Sequence, residues 1–417
     1  MISRYEHPQI SGIFSQENRI KLFLEVEKEV SLCRNSKLKS EFEKVDLVKL
    51  MADMKELETQ TKHETMAFVM ALSNQLSSSV DLHRGLTSSD VLDTCLALQM
   101  KEACLVLEEE VTLLIVALKD LSLRHKYTPM IGRSHGKAGE LITLGLSFLS
   151  FYSEWVRNLK RIEIARGEIS YGMISGPMGN YTNLPIKIEN KVCANLGLNS
   201  ELTSTQVIPR DRHAFLMLVM GLLGASLERL STHIRNLSQS GIEEVAEHFG
   251  KKQTGSSAMP HKKNPILSEN VTGLARLLKS YVSPSLDNVS LWFERDMSHS
   301  SVERVTIEDS FHLSCFAIQR MRKVIQNLYV DTENLARNIK RENCSYLSHS
   351  ILCLLMSKGI ERDEAYKFIQ TITHSKKDLL ASVKEVLTNK EIKKLFSIGE
   401  KKIDQIFIRT LGEKEYV

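Results

Sequence analysis

A stretch of 37 residues without glycine or proline, residues 91–127, restricts the possible folds of this chain more than any other feature. Leucine, valine and alanine recur along it at helical spacing, which predicts a helix of roughly ten turns. Four more long helices are predicted over residues 139–169, 209–248, 265–281 and 301–329. Globular helices usually run to roughly 20 residues at most, so this pattern indicates a long bundle or a coiled-coil-like assembly.

The composition agrees with a mainly helical chain. The 417 residues include only 20 glycines and 8 prolines, and aromatic residues make up 6%. We therefore predict an all-α fold in three domains: an N-terminal helical domain (1–90), a central long-helix bundle (91–340) and a C-terminal helical domain (341–417). The apolar faces of the long helices are wider than one partner helix requires, which indicates an oligomer.

Several classes of protein are excluded by the composition and the absence of motifs. The net charge of +4 is too small to indicate a nucleic-acid partner, and the longest apolar stretch, residues 214–225, is shorter than the ~20 residues of a membrane span. The N-terminus does not resemble a signal peptide. The seven scattered cysteines fit reduced thiols, and no metal-binding or phosphate-loop motif is present. We expect a soluble cytoplasmic protein that binds neither nucleic acid nor membrane.

The segment 255–265, Gly-Ser-Ser-Ala-Met-Pro-His-Lys-Lys-Asn-Pro, has the composition of a reactive loop. Its serines and lysines come directly before a predicted helix, whose first N–H groups could bind an anion or stabilise a serine alkoxide. The same residues could also form a polar surface loop that caps the helix. Composition alone does not decide between the two interpretations.

This segment resembles the signature loop G-S-S-x-M-P-x-K-x-N-P of the fumarase/aspartase superfamily at all eleven positions. His261 resembles the variable residue of the adenylosuccinate lyase family within it. Further motifs that resemble this family follow in the same order along the chain, at residues 4–5, 61–63, 86–94, 132–136, 175–179, 205–212 and 292–304.

The resemblance implies a β-elimination that releases fumarate from an N-succinyl nucleotide, for which neither a metal nor another cofactor is needed. It implies Ser256 as the base, His135 as the general acid with Glu269 as its partner, and His63 as a second histidine. Lys262 and Asn264 would hold the succinyl carboxylates. We expect Lys262 and the amides near Pro265 to lower the pKa of Ser256. Thr87, Ser88, Ser134 and Gln206 resemble substrate-binding positions.

A phosphate site is expected where Arg295, Ser300 and Arg304 follow one another at i, i+5 and i+9. Arginine binds phosphate through paired hydrogen bonds, and Arg4 and Tyr5 match the remaining phosphate contacts of the family. Without the resemblance, a solvated basic face neutralised by neighbouring carboxylates would be the preferred interpretation.

The resemblance also implies a homotetramer whose active sites are shared between subunits, acting on small-molecule nucleotides. One departure from the family pattern is Glu64, where aspartate is usual; it could shift a contact to the ribose or base. Two alternatives remain. The first is a related lyase for another N-succinyl or dicarboxylate substrate, and the second is a non-catalytic helical scaffold.

Overall fold

The structure, a computed structural model, describes residues 1–250, 258–375, 379–384, 386–396 and 399–413. It confirms the mainly helical fold and the five long helices. These helices are α6 (Ser88–Arg124), α7 (Leu144–Ile169), α9 (Arg210–Ser238), α10 (Ile266–Ser280) and α12 (Ser298–Gln326).

Shorter helices and strands complete the described chain. The helices are α1 (Pro8–Ile13), α2 (Gln16–Arg34), α3 (Lys39–Phe42), α4 (Leu47–Thr61), α5 (Glu64–Ser73), α8 (Ile186–Asn195), α11 (Val282–Asp287), α13 (Thr332–Arg341), α14 (Ser348–Ser357), α15 (Arg362–His374), α16 (Leu379–Val383), α17 (Asn389–Leu395) and α18 (Glu400–Leu411). The strands are β1 (Pro129–Ser134), β2 (Lys137–Thr143), β3 (Tyr171–Gly172), β4 (Asn199–Ser200), β5 (Val245–Ala246) and β6 (Tyr329–Val330). They form three two-stranded sheets, β1–β2 and β5–β6 antiparallel and β3–β4 parallel.

Two predicted helix boundaries are wrong, because segments predicted as helix contain strands. Helix α7 begins at Leu144 rather than near residue 139, since residues 129–143 form the antiparallel hairpin β1–β2. The two-residue turn of this hairpin is His135-Gly136, and both residues have a positive φ, +53° and +70°. Such a turn matches the twist of the strands, and a helix cannot pass through it. Helix α9 ends at Ser238 rather than near residue 248, and Val245 pairs with Val330 in a short sheet.

The chain divides into two compact units, and each of the five long helices contributes to both. Unit 1 comprises residues 1–112, 158–227 and 273–319, and unit 2 comprises residues 113–157, 228–272 and 320–417. The three-domain division expected from the sequence stays a prediction.

The core of unit 1 is built where α2, α4 and α5 pack with the beginning of α6. Phe23 of α2 and Phe68 of α5 are fully buried there, with ring centroids 5.5 Å apart in an edge-to-face arrangement. This packing fixes the start of α5, which carries His63, relative to α2.

Unit 2 has its own core, in which the hairpin β1–β2 packs against the C-terminal helices. Ile131 of β1 is buried with Tyr346, Ile351 of α14 and Ile369 of α15. The predicted C-terminal segment therefore shares its core with the hairpin that carries His135.

Helix α9 is the one described helix whose length and composition would allow it to cross a membrane, and about two-thirds of its most apolar window (67%) is buried within the structure. We interpret it as a core helix and not as a membrane span, because most of its apolar window is buried within the structure.

Gly145, at the beginning of α7, closes the base of the hairpin. A Cβ atom at this position would lie 2.3 Å from the backbone oxygen of Ser122 and 2.7 Å from that of His125. The Gly145 amide donates a hydrogen bond of 2.9 Å to the His125 oxygen. The two chain segments that flank the hairpin can approach this closely only because Gly145 has no side chain.

We expect Gly145→Ala to lower the free energy of unfolding by about 1–3 kcal/mol, the usual cost of overpacking. The control is Gly167→Ala near the other end of α7, where a Cβ would meet no atom within 4 Å. That substitution should stabilise the helix by roughly 0.5–1 kcal/mol. Thermal and urea unfolding of the two variants measures the difference. Equal effects of the two substitutions would contradict the close approach at Gly145.

Candidate active site

Three of the predicted phosphate residues, Arg295, Ser300 and Arg304, line one pocket in unit 1. Arg295 precedes α12, and Ser300 and Arg304 lie in its first two turns. Arg295 is half-buried and Arg304 is exposed. Two guanidinium groups and a hydroxyl that face one cavity form a site suited to an oxyanion.

A buried ion-pair network forms one side of this pocket. The Arg210 side chain is 2% exposed, and its two Nη atoms donate to Asp93, at 2.6 Å to Oδ2 and 2.9 Å to Oδ1. Its Nε atom lies 2.9 Å from Oε1 of Glu303. Arg210, Asp93 and Glu303 all line the pocket. The motif 205–212 suggested this region, but no sequence signal identified Asp93 and Glu303 as the partners.

Asp93 and Glu303 share Arg210, and their pKa values shift in opposite directions. Burial raises the pKa of Glu303 to about 7, against the opposing effect of Arg210. Burial would also raise the pKa of Asp93, but the bidentate contact with Arg210 holds it below its usual value. Glu303 is therefore the member of the network that titrates near neutral pH.

The structure brings Gln206 and Arg295 together beside the pocket. Arg295 Nη1 donates to Gln206 Oε1 at 3.2 Å, and Gln206 Nε2 donates to the Pro177 oxygen at 3.0 Å. This orients the Gln206 amide and fixes the guanidinium plane of Arg295.

Arg4 and Tyr5 do not line the pocket. Tyr5 contacts α12 farther from the beginning of that helix. The Tyr5 ring packs edge-to-face on Phe316 with centroids 5.0 Å apart, and Arg4 is exposed. The N-terminal amine lies 3.2 Å from Asp309 Oδ1. The expected contribution of Arg4 and Tyr5 to the phosphate site stays a prediction.

Thr87 and Ser88 stand at the beginning of α6, where a buried carboxylate holds the backbone. Asp90 accepts hydrogen bonds from the amides of Thr87 (2.7 Å), Ser175 (2.8 Å) and Gly176 (3.2 Å). Burial raises the pKa of Asp90 to about 6, although these three donors oppose the shift. Asp90 thus connects the Thr87 motif to the motif at residues 175–179, a positioning role that the sequence did not reveal.

A second buried carboxylate supports the same loop. Glu27 is fully buried and accepts from the amide of His83 at 3.0 Å, while its other oxygen contacts the His83 ring at 2.5 Å. Burial lowers the pKa of His83, but the contact with Glu27 outweighs burial and raises it overall. His83 precedes Thr87 by four residues, so this ion pair stabilises the approach to the Thr87 loop.

His63 is the N-cap of α5, which defines the role of its ring nitrogens. Its Nδ1 atom accepts a hydrogen bond of 3.3 Å from the Met66 amide. A neutral imidazole that accepts at Nδ1 carries its proton on Nε2. The ring is exposed, so Nε2 can donate to an anionic ligand.

In unit 2, Ser134 and His135 stand at the exposed tip of the hairpin. Behind the tip, Arg133 makes a bidentate ion pair with the fully buried Glu244, at 2.6 and 2.9 Å. Asn338 of α13 also donates to Glu244, at 2.9 Å. This anchor fixes the strand that presents His135.

Lys262, Asn264 and Glu269 flank the beginning of α10, and Ser256 lies outside the described residues. Lys262 and Glu269 are exposed. Within the parts of unit 2 that the structure describes, no hydrogen bond or ion pair joins His135 to Glu269. The pairing of His135 with Glu269 that the resemblance implies stays a prediction.

The amides at the start of α10 have protein partners in the described structure, and their expected effect on the Ser256 hydroxyl stays a prediction, since Ser256 lies outside the described residues. Leu267 N and Ser268 N donate to the Glu247 carboxylate at 3.0 and 2.7 Å. Ile266 N donates to the Asn264 oxygen, and Glu269 N to the Pro265 oxygen, each within 3.0 Å. Glu247 caps this helix, a role that no sequence pattern indicated.

Comparison with known proteins assigns the family. Residues 6–277 match a protein-family model described as a lyase. The adenylosuccinate lyase of Thermotoga maritima is 39% identical over 98% of this chain and 99% of its own length. The enzyme of the same name from Aquifex aeolicus is 38% identical over 99% of this chain and all of its own length. The chain belongs to the adenylosuccinate lyase family. It is a carbon–nitrogen lyase by that membership.

Solved structures agree with this family at the level of the fold. A 3-carboxy-cis,cis-muconate lactonizing enzyme from Pseudomonas putida superposes with a TM-score of 0.81 over 97% of both chains, at 21% identity. A fumarate lyase from Mesorhizobium sp. BNC1 gives a TM-score of 0.80 at 18% identity, covering 99% of this chain and 96% of its own. The adenylosuccinate lyase family thus shares its helical scaffold with enzymes of different names.

The titration of Glu303 gives a testable dependence of stability on pH. Burial raises the pKa of Glu303 in the folded protein to about 7, above its unfolded value near 4.5. Its contribution to the stability of the folded state is therefore fully present below pH 4.5, where the carboxyl is protonated in both states, and is lost as pH rises through about 7. Glu303→Gln keeps a hydrogen-bond acceptor for Arg210 and removes the titration. We expect the difference in unfolding temperature between Glu303→Gln and wild type to increase in favour of the variant from pH 5 to pH 8. The corresponding change in the free energy of unfolding is on the order of 1–3 kcal/mol.

The control is Glu308→Gln on the same helix, since that carboxylate is 40% exposed. It should leave the pH dependence of the unfolding temperature unchanged. Parallel curves for wild type and Glu303→Gln between pH 5 and 8 would contradict a carboxyl that titrates near 7.

Proposed function

We propose that this chain removes fumarate from adenylosuccinate to give AMP, and from the succinyl-carboxamide ribotide SAICAR to give AICAR, in purine nucleotide biosynthesis. The observation that carries the proposal is the convergence of Arg295, Ser300 and Arg304 on one pocket. A site of this composition suits a phosphate, and both proposed substrates carry one. Relatives named adenylosuccinate lyase, similar over nearly the whole chain, support the same reaction.

The proposed elimination needs a base, an acid and a means of stabilising the intermediate. Ser256 takes the proton from the carbon next to a succinyl carboxylate, and Lys262 and Asn264 hold the resulting aci-carboxylate. The carbon–nitrogen bond then breaks as the carbon–carbon double bond of fumarate forms. His135 protonates the departing nitrogen, with Glu269 as its partner.

The remaining residues bind the substrate in this proposal. His63, which can donate through Nε2, contacts the anionic end of the substrate or orients the acid. Thr87, Ser88, Ser134 and Gln206 bind the succinyl and nucleoside parts. Arg4 and Tyr5 join the phosphate residues when the site is complete.

We also propose a cytoplasmic homotetramer in which each active site takes residues from three subunits, with no nucleic-acid or membrane partner. An exposed apolar stripe on α9 supports an interface: Phe215, Leu218 and Leu222 are 37–43% exposed at i, i+3 and i+7. The lack of a hydrogen bond between His135 and Glu269 among the described residues of one chain agrees with residues supplied by different subunits.

The two alternatives make different demands. A lyase for a substrate without phosphate would not need the arginine pocket. A non-catalytic scaffold would not need His63, His135, Ser256 and Lys262 together. An absorbance assay on purified protein with adenylosuccinate separates the proposed function from both alternatives, since only the proposed function gives conversion to AMP and fumarate.

We expect Ser256→Ala to lower kcat by several orders of magnitude, with little effect on folding or on the binding of AMP, because the loss falls on the transition state. Ser257→Ala is the matched control and should keep most of the activity. If Ser256→Ala keeps more than about a tenth of wild-type kcat, a loss of roughly 1.4 kcal/mol, Ser256 is not the base.

The shared site can be tested by mixing two inactive variants. His135→Asn removes the acid and tolerates the left-handed backbone of the turn, and Ser256→Ala removes the base. After dissociation and reassociation in equal amounts, about a quarter of the sites should have both groups intact in a symmetric tetramer. Activity near a quarter of wild type is expected. If mass spectrometry shows mixed tetramers but activity stays at the level of the separate variants, the shared-site proposal is wrong.

A further inference from the structure

Besides Arg210, Arg295 and Arg304, a fourth arginine lines this pocket, although no sequence motif indicates it. Arg19, on α2, lines the same cavity. Its Cζ atom lies 5.2 Å from the centroid of the Phe23 ring one turn farther along the helix. The cation–π contact holds the guanidinium near the helix surface, and the side chain stays 32% exposed.

Arg19 is oriented by Glu64, the first residue of α5. Its Nη2 atom donates to Glu64 Oε2 at 2.8 Å. Among the residues that the structure describes, this is the one hydrogen bond that the guanidinium donates. Arginine has five N–H donors, so the others remain for a ligand. Half-exposed ion pairs of this kind add little to stability, so ligand binding is a better account of this charge at the pocket.

The other arginines of the pocket differ in how many donors they have left. Arg210 is committed to Asp93 and Glu303. Arg295 donates to Gln206 and to the sulfur of Met297. Arg19 therefore adds donors to a pocket in which Arg210 is already neutralised.

We infer that Arg19 binds the phosphate of the nucleotide substrate together with Arg304, and that Glu64 is the positioning residue that holds Arg19 in place. The inference rests on the proposed function. A phosphate monoester presents three oxygens, which accept paired hydrogen bonds from more than one guanidinium. Glu64 stands where the family usually has aspartate, and the structure gives its carboxylate a protein partner in place of the substrate contact expected from the sequence.

The test compares Arg19→Ala with Arg304→Ala, measuring KM and kcat for adenylosuccinate and the inhibition constants of AMP and fumarate. We expect Arg19→Ala to raise KM and the AMP inhibition constant by about 10- to 100-fold, the effect of losing a charge-assisted hydrogen bond. The value of kcat and the fumarate inhibition constant should change little. Arg19→Lys should recover part of the loss, because it restores the charge without the paired donors.

Lys21→Ala is the matched control. Lys21 lies on the same helix, pairs with Glu17 in an exposed contact of 2.5 Å and does not line the pocket. It removes the same charge and should leave both KM and the AMP inhibition constant unchanged.

Glu64 is tested through its coupling to Arg19. If Glu64 acts by holding Arg19, Glu64→Gln changes KM in the wild-type background and has no effect in the Arg19→Ala background. An equal effect in both backgrounds, or no effect in either, would overturn the positioning role.

The outcomes separate this inference from the proposed function. If Arg304→Ala raises KM and Arg19→Ala does not, the Arg19 inference fails and the proposed function stands. A rise in the fumarate constant without a rise for AMP would assign Arg19 to a carboxylate and overturn the phosphate assignment. If the wild-type protein does not convert adenylosuccinate, the proposed function fails; calorimetry with inorganic phosphate on wild type and Arg19→Ala then tests Arg19 independently.

Discussion

The buried contact of Arg210 with Asp93 and Glu303 ties together α9, α6 and α12, three of the long helices, within unit 1. Removing Arg210 would leave the buried Asp93 and Glu303 carboxyls without their cation, which is strongly destabilising. The same three residues form one side of the pocket, and Arg304 follows Glu303 directly in sequence. The proposed anion-binding surface therefore lies directly beside this buried network. The positions of Ser300 and Arg304 follow from the register of these helices, whereas Arg295 lies on the segment that precedes α12.

The long helices could be predicted from the sequence because apolar periodicity is a local property. The hairpin β1–β2 was missed for the opposite reason: its turn depends on two successive left-handed residues, His135 and Gly136, and histidine seldom indicates such a turn. The ion pair of Arg210 with Asp93 joins residues 117 positions apart. No periodicity encodes a contact of that separation, so the motifs at residues 86–94 and 205–212 did not reveal that Asp93 and Arg210 pair.

Much of the candidate site could be named only through the resemblance. The composition of residues 255–265 allowed either a reactive loop or a helix cap. The structure gives the cap of α10 to Glu247, which lies 20 residues before the first amide that it binds. The capping interpretation therefore does not explain the serines and lysines of that segment, and their catalytic roles rest on the family pattern. Gln206 and Arg295 are a different case, because the two predicted residues are in direct contact in the structure.

The turn at His135 has a consequence for how this family can diverge. The imidazole proposed as the acid occupies the first position of a type of turn that asparagine, aspartate and glycine normally fill, and β-branched residues cannot adopt its backbone without strain. A descendant that lost the histidine could keep the hairpin only with one of those few residues. In such sequences, asparagine or glycine at this position would indicate a chain that has lost the catalytic acid but keeps the hairpin. Valine or isoleucine would indicate a chain in which the hairpin has a different turn.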